Sequence, residues 1–272
     1  MAGTLPEPRG RIAGVTFLDE GIIARLAEDH GVPADVAREL TGLLRPCVFL
    51  VPHEDLPESA RLDPRPAGRM GGLPSLPESI EWPAGAEPFV LSVDCAALPR
   101  DFIDIELPLD GQLLFFTTFK YEPEQSAVVH VSAGVGTVEH PLPEDVDDQE
   151  AVAYEPRTLY PLPGLTIDHE WCSAPATTAF KDGGADHDEV VERFVEAVVH
   201  SVQDGSPSNS AVQIGGCSNQ WQVPPDRNGY VLLAQIAGNC LDHNLFTLNL
   251  IVGTREDITA GRWGSLRYEQ QC

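Results

Sequence analysis

Apolar residues spaced three to four apart predict a pair of helices within residues 1–45. The first helix is expected to follow Asp19, a residue type favoured as an N-cap, and to end at His30 and Gly31. Pro33 suits the start of the second helix. Its apolar stripe consists of Val36, Leu40, Leu43 and Leu44. We interpret the pair as an N-terminal helical extension whose role is packing.

From residue 46 onward, short β-rich runs alternate with Pro and Gly. Strands are predicted over 47–51, 89–93, 112–119 and 127–132. Acidic residues and prolines dominate residues 138–170, so this segment is predicted to be a long loop. Apolar residues along one side of 190–202, after a cap at Asp186 or Asp188, predict one long helix before the last β-rich third.

One pattern occurs twice in the β-rich region. A Gly-Gly pair, a Trp and two apolar strands follow one another within residues 69–134 and again within residues 212–271. Gly71–Gly72 begins the first copy and Gly215–Gly216 begins the second. A glycine pair permits a turn with positive φ or a close backbone approach. The sequence predicts an α+β fold in which residues 46–272 form one domain with two related β-rich halves, each led by a Gly-Gly turn.

The β-rich region resembles the YwqG-like family, a bacterial domain of unknown function. The resemblance rests on Arg69–Pro77, Trp82–Pro83, Phe89–Val93 with Leu98–Pro99, Leu107–Pro108 with Gly111–Phe116, Ile214–Gly216, Gln220 and Leu232–Ile236. It covers residues 69–271 and implies an accessory or toxin-immunity role without an assigned reaction. Cys217 stands where a Tyr-Pro-like turn is expected, and residues 240–244 replace a Trp-Gly-Asp turn.

Charge is the most extreme bulk property of the chain. The 42 acidic residues outnumber the 17 lysines and arginines, for a net charge of −25. Nucleic-acid binding needs clustered cations, so we expect no nucleic-acid partner. The same field favours a basic protein or peptide partner, although acidity also serves solubility alone.

Membrane and cofactor signals are missing from the sequence. No apolar run approaches the roughly 20 residues that span a bilayer, and the N-terminus lacks a signal-peptide pattern. We therefore expect a cytoplasmic protein without a membrane partner. The six cysteines form no C-x-x-C pair, and most of them should be free thiols in a reducing compartment. No phosphate-binding loop occurs, and no cofactor is expected.

Candidate binding residues accompany the two glycine pairs. Trp82 follows the first pair, and Gln220 and Trp221 follow the second. Aromatic side chains commonly anchor binding sites, so these three residues are predicted to flank a recognition groove between the halves. The alternative interpretation is that the tryptophans are partly buried core residues.

A metal-assisted enzyme is one alternative hypothesis. His169, Glu170 and Cys172 bring three kinds of ligand donor into one short segment that begins with Asp168. Neighbouring side chains rarely converge on one ion, so such a site would need a further ligand, such as His187 or His53.

A thiol-dependent enzyme is the other alternative. Cys217 follows the second glycine pair, and Asp242 and His243 lie downstream, which are the residue types of a Cys-His-acid arrangement. The competing interpretation is that Cys217 is a small loop residue and His243 a turn residue. The sequence favours a non-catalytic binding or accessory protein over either enzyme.

Overall fold

The body of the structure is a ten-stranded antiparallel sheet. The computed structural model describes residues 11–12, 15–16, 20–83, 87–120, 123, 125–143, 153–201, 212–219 and 222–272. The helices are α1 (Glu20–His30), α2 (Ala34–Gly42), α3 (Pro175–Lys181), α4 (His187–Ser201) and α5 (Arg255–Thr259). The strands are β1 (Arg11–Ile12), β2 (Val15–Thr16), β3 (Leu44–Val51), β4 (Gly68–Met70), β5 (Ser75–Leu76), β6 (Phe89–Asp94), β7 (Gln112–Phe116), β8 (Ala127–Val131), β9 (Val138–Glu139), β10 (Arg157–Ile167), β11 (Val212–Ile214), β12 (Tyr230–Ala237), β13 (Leu248–Thr254) and β14 (Arg267–Gln271).

The large sheet has the strand order β14–β13–β12–β11–β3–β10–β4–β6–β7–β8. β3 and β10 form its centre, and four strands follow on each side in chain order. We call β4, β6, β7 and β8 the first half, and β11 to β14 the second half. Each half joins the centre through a strand of three residues. In the first half β4 pairs with β10, and in the second half β11 pairs with β3. The remaining strands form two small sheets, β1–β2 and β5–β9.

The joining strand of each half leads into a glycine pair. The φ angles are 68° at Gly71, 77° at Gly72, 69° at Gly215 and 74° at Gly216. The Gly71 amide donates to the carbonyl of Val90 (2.9 Å), and the Gly215 amide donates to the carbonyl of Leu233 (3.3 Å). Both acceptors lie where the register between adjacent strands shifts. The same backbone contact therefore occurs in each half.

A side chain closes each glycine turn from two residues upstream. The guanidinium of Arg69 donates to the carbonyl of Leu73. The side-chain amide of Gln213 donates to the carbonyl of Cys217 (2.8 Å). Each acceptor is the residue directly after the glycine pair, so the two turns are closed at the same relative position.

The sheet curls until its edge strands, β8 and β14, meet. Tyr268 of β14 hydrogen-bonds with the backbone of Val128 in β8. Nearby, the side-chain amide of Asn249 donates to the backbone carbonyl of Thr118 (2.6 Å). Large side chains fill the enclosed core, including Phe102, Phe115 and Phe119. Their burial is the main source of stability for this part of the fold.

The two predicted N-terminal helices are present, and they pack against helices from the middle of the chain. Apolar residues of α1 and α2 form one cluster with Val191, Phe194 and Val198 of α4. The carboxylate of Glu39 in α2 accepts the amides of Ala176 (3.0 Å) and Thr177 (2.9 Å) at the start of α3. The helical extension is thus covered by the predicted long helix, which the structure places at α4. Within the described residues, no helix is long and apolar enough to cross a membrane.

The predicted loop over residues 138–170 is wrong, because β10 within it is a central strand. Pro161 and Pro163 favoured the loop prediction, because proline has no amide hydrogen to donate to a neighbouring strand and is rare in central strands. β10 pairs with β4 only through residues 157–159 and with β3 only through residues 160–167. The prolines therefore lie where the strand has one partner and the missing amides cost little.

Candidate functional site

An open groove of about 420 Å³ lies in the first half, where β6 ends and β7 begins. The groove is lined by Asp94, Asp110, Gln112, Val131 and Val135, and we call it the acidic groove. Within the described chain, neither carboxylate forms an ion pair. Val135 is 48% exposed, and Leu109, next to Asp110 in the chain, is 81% exposed. Negative charge and apolar surface therefore adjoin each other here.

Hydrogen bonds from Arg100 and a close backbone approach at Gly111 fix the rim of the acidic groove. Arg100 donates to the carbonyls of Leu107 (2.7 Å) and Cys95 (3.1 Å), and also to that of Pro108. Gly111 has a φ of 82°, and a Cβ there would lie 2.3 Å from the carbonyl oxygen of Val131. This close approach requires glycine. The segment carrying Leu109 and Asp110 is therefore anchored at both ends.

Burial and the charges near the groove both affect the pKa of the Cys95 thiol. Burial raises the pKa of Cys95 to about 11, Arg100 opposes the rise, and Asp94 and Asp110 add to it. The thiol is thus a buried, protonated group beneath the groove.

The second glycine turn is held by side chains from distant parts of the chain. The carboxylate of Asp104 accepts the Gly216 amide (2.8 Å) and pairs with the guanidinium of Arg255 (3.2 Å). The Cys217 amide donates to the hydroxyl of Thr166 at the end of β10 (2.8 Å). Asp104 lies between β6 and β7, so this carboxylate links the first half to the turn of the second.

A buried carboxylate, Asp226, contacts the chain just after that turn through Ser218. Asp226 has a side chain that is 4% exposed and accepts from His169 Nε2 (3.1 Å), the Ser218 hydroxyl (2.6 Å) and the Ser218 amide (2.8 Å). Burial alone would raise the pKa of Asp226, but the hydrogen bonds from His169 and Ser218 outweigh it and hold the pKa below its usual value. Three donors thus stabilise the charged form of this carboxylate.

The structure does not bring Cys217 and His243 together. Cys217 follows β11 and lies towards the start of β12, whereas His243 follows the far end of β12. The His243 side chain is 90% exposed, and its ion-pair partner is the neighbouring Asp242 (3.7 Å). Burial raises the pKa of the Cys217 thiol to about 12, with Asp226 adding to the rise. A thiol in this environment is a poor nucleophile at neutral pH.

The residues of the predicted metal site point to different partners. Asp168 caps a 3-10 turn over His169–Ser173 by accepting the Glu170 amide (3.0 Å). His169 turns inward to Asp226, while Glu170 and Cys172 are exposed. Within the part of the chain that the structure describes, no group of three or more His, Cys, Asp or Glu side chains is arranged to hold a metal ion.

Trp82 covers the outer face of the first half. It packs at a ring distance of 5.4 Å from Phe116, and its Nε1 donates to the carbonyl of Glu87 (3.0 Å). The side chain is half-buried in a cluster with Leu76 and Phe89. The other two predicted binding residues, Gln220 and Trp221, lie outside the described residues.

A family model described as a domain of unknown function (DUF1963) matches residues 68–264. The chain belongs to the DUF1963 family. No curated protein matches it. The DUF1963 match begins at the first residue of β4 and ends before β14, so it contains both glycine pairs, the acidic groove and Asp226.

The DUF1963 region also contains residues that sequence patterns did not single out. Asp94 directly follows the predicted strand 89–93, and Asp110 lies two residues before the predicted strand 112–119. Polar residues in the loop between two strands were the available signal for them. No local sequence pattern indicated a role for Asp104 or Asp226. Asp104 is separated by 112 positions from the glycine that it contacts, so only the folded chain reveals its role.

Proposed function

We propose that this DUF1963 chain is a non-catalytic binding or accessory protein that holds a basic protein or peptide in the acidic groove. The observation that supports this most directly is that Asp94, Asp110 and exposed Val135 line one open groove, with exposed Leu109 next to Asp110 in the chain. A lysine or arginine flanked by an apolar residue would satisfy both features of such a surface.

The overall charge supports the same class of partner. A chain with a net charge of −25 attracts cations over long range and accelerates their encounter with an acidic groove. Neither groove carboxylate has an internal ion pair to break among the described residues, so a cationic side chain could be bound without that cost. Phosphate-rich partners are disfavoured by the same field.

The narrower form of the proposal follows the resemblance to the YwqG-like family. In a bacterial toxin-immunity role the partner would be a basic toxin segment, bound in the cytoplasm. All six cysteines are free thiols, which is compatible with a reducing compartment.

We further infer that the two halves arose by internal duplication. The matching strand order and the matching Gly71 and Gly215 contacts support this inference. Two further backbone hydrogen bonds also occur at matching positions. The Cys95 amide donates to the carbonyl of Gly111 (2.9 Å), and the Gly238 amide donates to the carbonyl of Thr247 (2.8 Å). Each bond joins the second and third strands of its half. Recurrent contacts at matching positions are expected of duplicated segments.

Fluorescence anisotropy with a labelled peptide of alternating lysine and leucine tests the binding proposal. We expect saturable binding that weakens as the salt concentration rises from about 0.01 M to about 0.15 M, because screening shortens the reach of the field. A double variant, Asp94→Asn with Asp110→Asn, should bind about tenfold more weakly, which corresponds to a loss of about 1.4 kcal/mol.

The matched control is Glu192→Gln with Glu196→Gln, which removes the same charge from the exposed side of α4. If this control loses as much affinity as the groove variant, the peptide senses net charge alone and the groove is not its site. A chain that does not bind the peptide at low salt would also contradict the proposal.

A further inference from the structure

A second pocket, of about 320 Å³, lies in the second half, and its charge is opposite to that of the acidic groove. It opens between the loop that precedes β12 and the outer face of strands β12 to β14. Arg227 and Arg267 both line it, together with Tyr230. We call it the arginine pocket. Two guanidinium groups in one pocket are unusual in a chain with 17 basic residues against 42 acidic ones.

Neither guanidinium is neutralised by the described part of the protein. Arg69, Arg100 and Arg255 donate to carbonyl or carboxylate groups. The guanidinium groups of Arg227 and Arg267, by contrast, have no hydrogen-bond or ion-pair partner among the described residues. An unpaired guanidinium offers a planar fork of N–H donors that matches a carboxylate or phosphate.

Tyr230 orients one of the two arginines. The guanidinium carbon of Arg267 lies 4.1 Å from the centroid of the Tyr230 ring, in cation–π contact. A guanidinium engaged through its face keeps its in-plane N–H groups available for an oxyanion. The one carboxylate in the pocket, Glu269, already accepts from the side-chain amide of Gln271 (3.1 Å). Because two arginines and one glutamate line the pocket, it has a net positive charge.

The wall beside the arginines is apolar. It is formed by Val223, which is 55% exposed, and by Pro224 and Pro225. Consecutive prolines limit backbone movement, so this wall is a preformed surface. An apolar body resting on such a wall would be removed from water without reordering the loop.

We propose that the arginine pocket binds an organic anion. Its carboxylate or phosphate group is held by Arg227 and Arg267, and its apolar body lies against Val223 and the two prolines. This site differs from the acidic groove in location, charge and ligand class, so its existence does not depend on the binding role proposed above.

Titrations followed by protein NMR test this proposal with four probes: acetate, benzoate, inorganic phosphate and phenyl phosphate. We expect saturable shifts of the amides of Asn228, Gly229 and Tyr230. Benzoate binding more tightly than acetate supports an organic carboxylate as the ligand. Phenyl phosphate binding more tightly than inorganic phosphate supports an organic phosphate. Equal affinities within both pairs, or no saturable shift with any probe, would overturn the proposal.

Arg227→Gln and Arg267→Gln should each weaken binding of the preferred probe by about tenfold, the loss expected when one charge-assisted hydrogen-bonding partner is removed. The matched control is Arg38→Gln, which removes an exposed arginine from α2 and changes the net charge equally. Unchanged binding in both pocket variants, or an equal loss in the control, contradicts the assignment. Because Arg227 is exposed and outside any strand, Arg227→Gln is informative even if Arg267→Gln disturbs β14.

Discussion

The two glycine turns share their backbone contacts but differ in what surrounds them. In the first turn, backbone carbonyl groups adjoin Gly71, where Glu155 is nearest, and accept the Gly72 amide, which donates to Tyr154 (2.8 Å). Only at Gly72 is a side chain, that of Arg69, the nearest neighbour. In the second turn the neighbours are side chains, chiefly Asp104 and Thr166. The same backbone contacts therefore occur in two different environments: Gly71 is packed against backbone, whereas Gly215 and Gly216 are packed against replaceable side chains.

The two environments differ in how readily mutation can change them. Carbonyl groups cannot be exchanged by mutation, so the first turn tolerates little change at Gly71. Side-chain partners can be exchanged one at a time, so the second turn can accommodate more substitutions. The two turns also differ at the residue after the glycine pair, which is Leu73 in the first turn and Cys217 in the second.

The largest expected effect is that of Gly71→Ala. A Cβ at Gly71 would lie 2.4 Å from the carbonyl oxygen of Glu155, and the φ of 68° is unfavourable for alanine. Left-handed strain of about 1–2 kcal/mol and the clash with backbone together predict a loss of about 3–4 kcal/mol in the free energy of unfolding, measured by urea titration.

Two further glycine variants calibrate that result. At Gly215 the added Cβ would meet Asp104 Oδ1 at 2.9 Å, so we expect Gly215→Ala to cost about 2 kcal/mol. Gly134 has a φ of 80° with open space around it, and Gly134→Ala should show the strain alone, about 1 kcal/mol. A cost for Gly215→Ala equal to that of Gly71→Ala would abolish the distinction between the turns.

The next largest effect is expected at the closing side chains. Gln213 is 1% exposed and donates to the carbonyls of Gly215 (2.9 Å) and Cys217 (2.8 Å). Gln213→Ala leaves buried acceptors without a donor and should cost about 2–3 kcal/mol in the free energy of unfolding. Arg69 is only half-buried, so water can replace its bond to Leu73, and Arg69→Ala should cost about 1 kcal/mol. The reverse ranking would contradict the comparison.

A smaller, pH-dependent effect is expected at Asp226, after the second turn. Its pKa is lower in the folded chain, so the stability it contributes is present above the unfolded value of about 3.9 and is lost as the pH falls through the folded value. Asp226→Asn should therefore destabilise the protein by about 1–2 kcal/mol at pH 7 and by less below about pH 4.

Urea unfolding of both proteins across that pH range measures the difference. Asp63→Asn is the control, because Asp63 is exposed and lies in a loop. If the gap between Asp226→Asn and the parent protein does not narrow in acid, the hydrogen bonds from His169 and Ser218 do not stabilise the charged form.

Local patterns identified much of this frame before the fold was known. The two helices and the strands beginning at Phe89 and Gln112 agree with the structure, because propensity and apolar spacing act over a few residues. β10 was missed because its prolines are tolerated only through a pairing pattern that involves distant strands. The partners of Asp104 and Asp226 were missed for the same reason, since a carboxylate gives no local indication of which distant amide it will accept.

The smallest change is expected at Cys217, whose reactivity tests the thiol hypothesis. A thiol with a pKa of about 12 is on the order of one part in ten thousand thiolate at pH 8, and only the thiolate reacts with iodoacetamide. We expect mass spectrometry to find the exposed Cys172 and Cys272 modified while Cys217 stays intact until the protein unfolds. Modification of Cys217 before these two thiols would mean that the second turn opens in solution, and it would restore the thiol-dependent enzyme as a competing hypothesis.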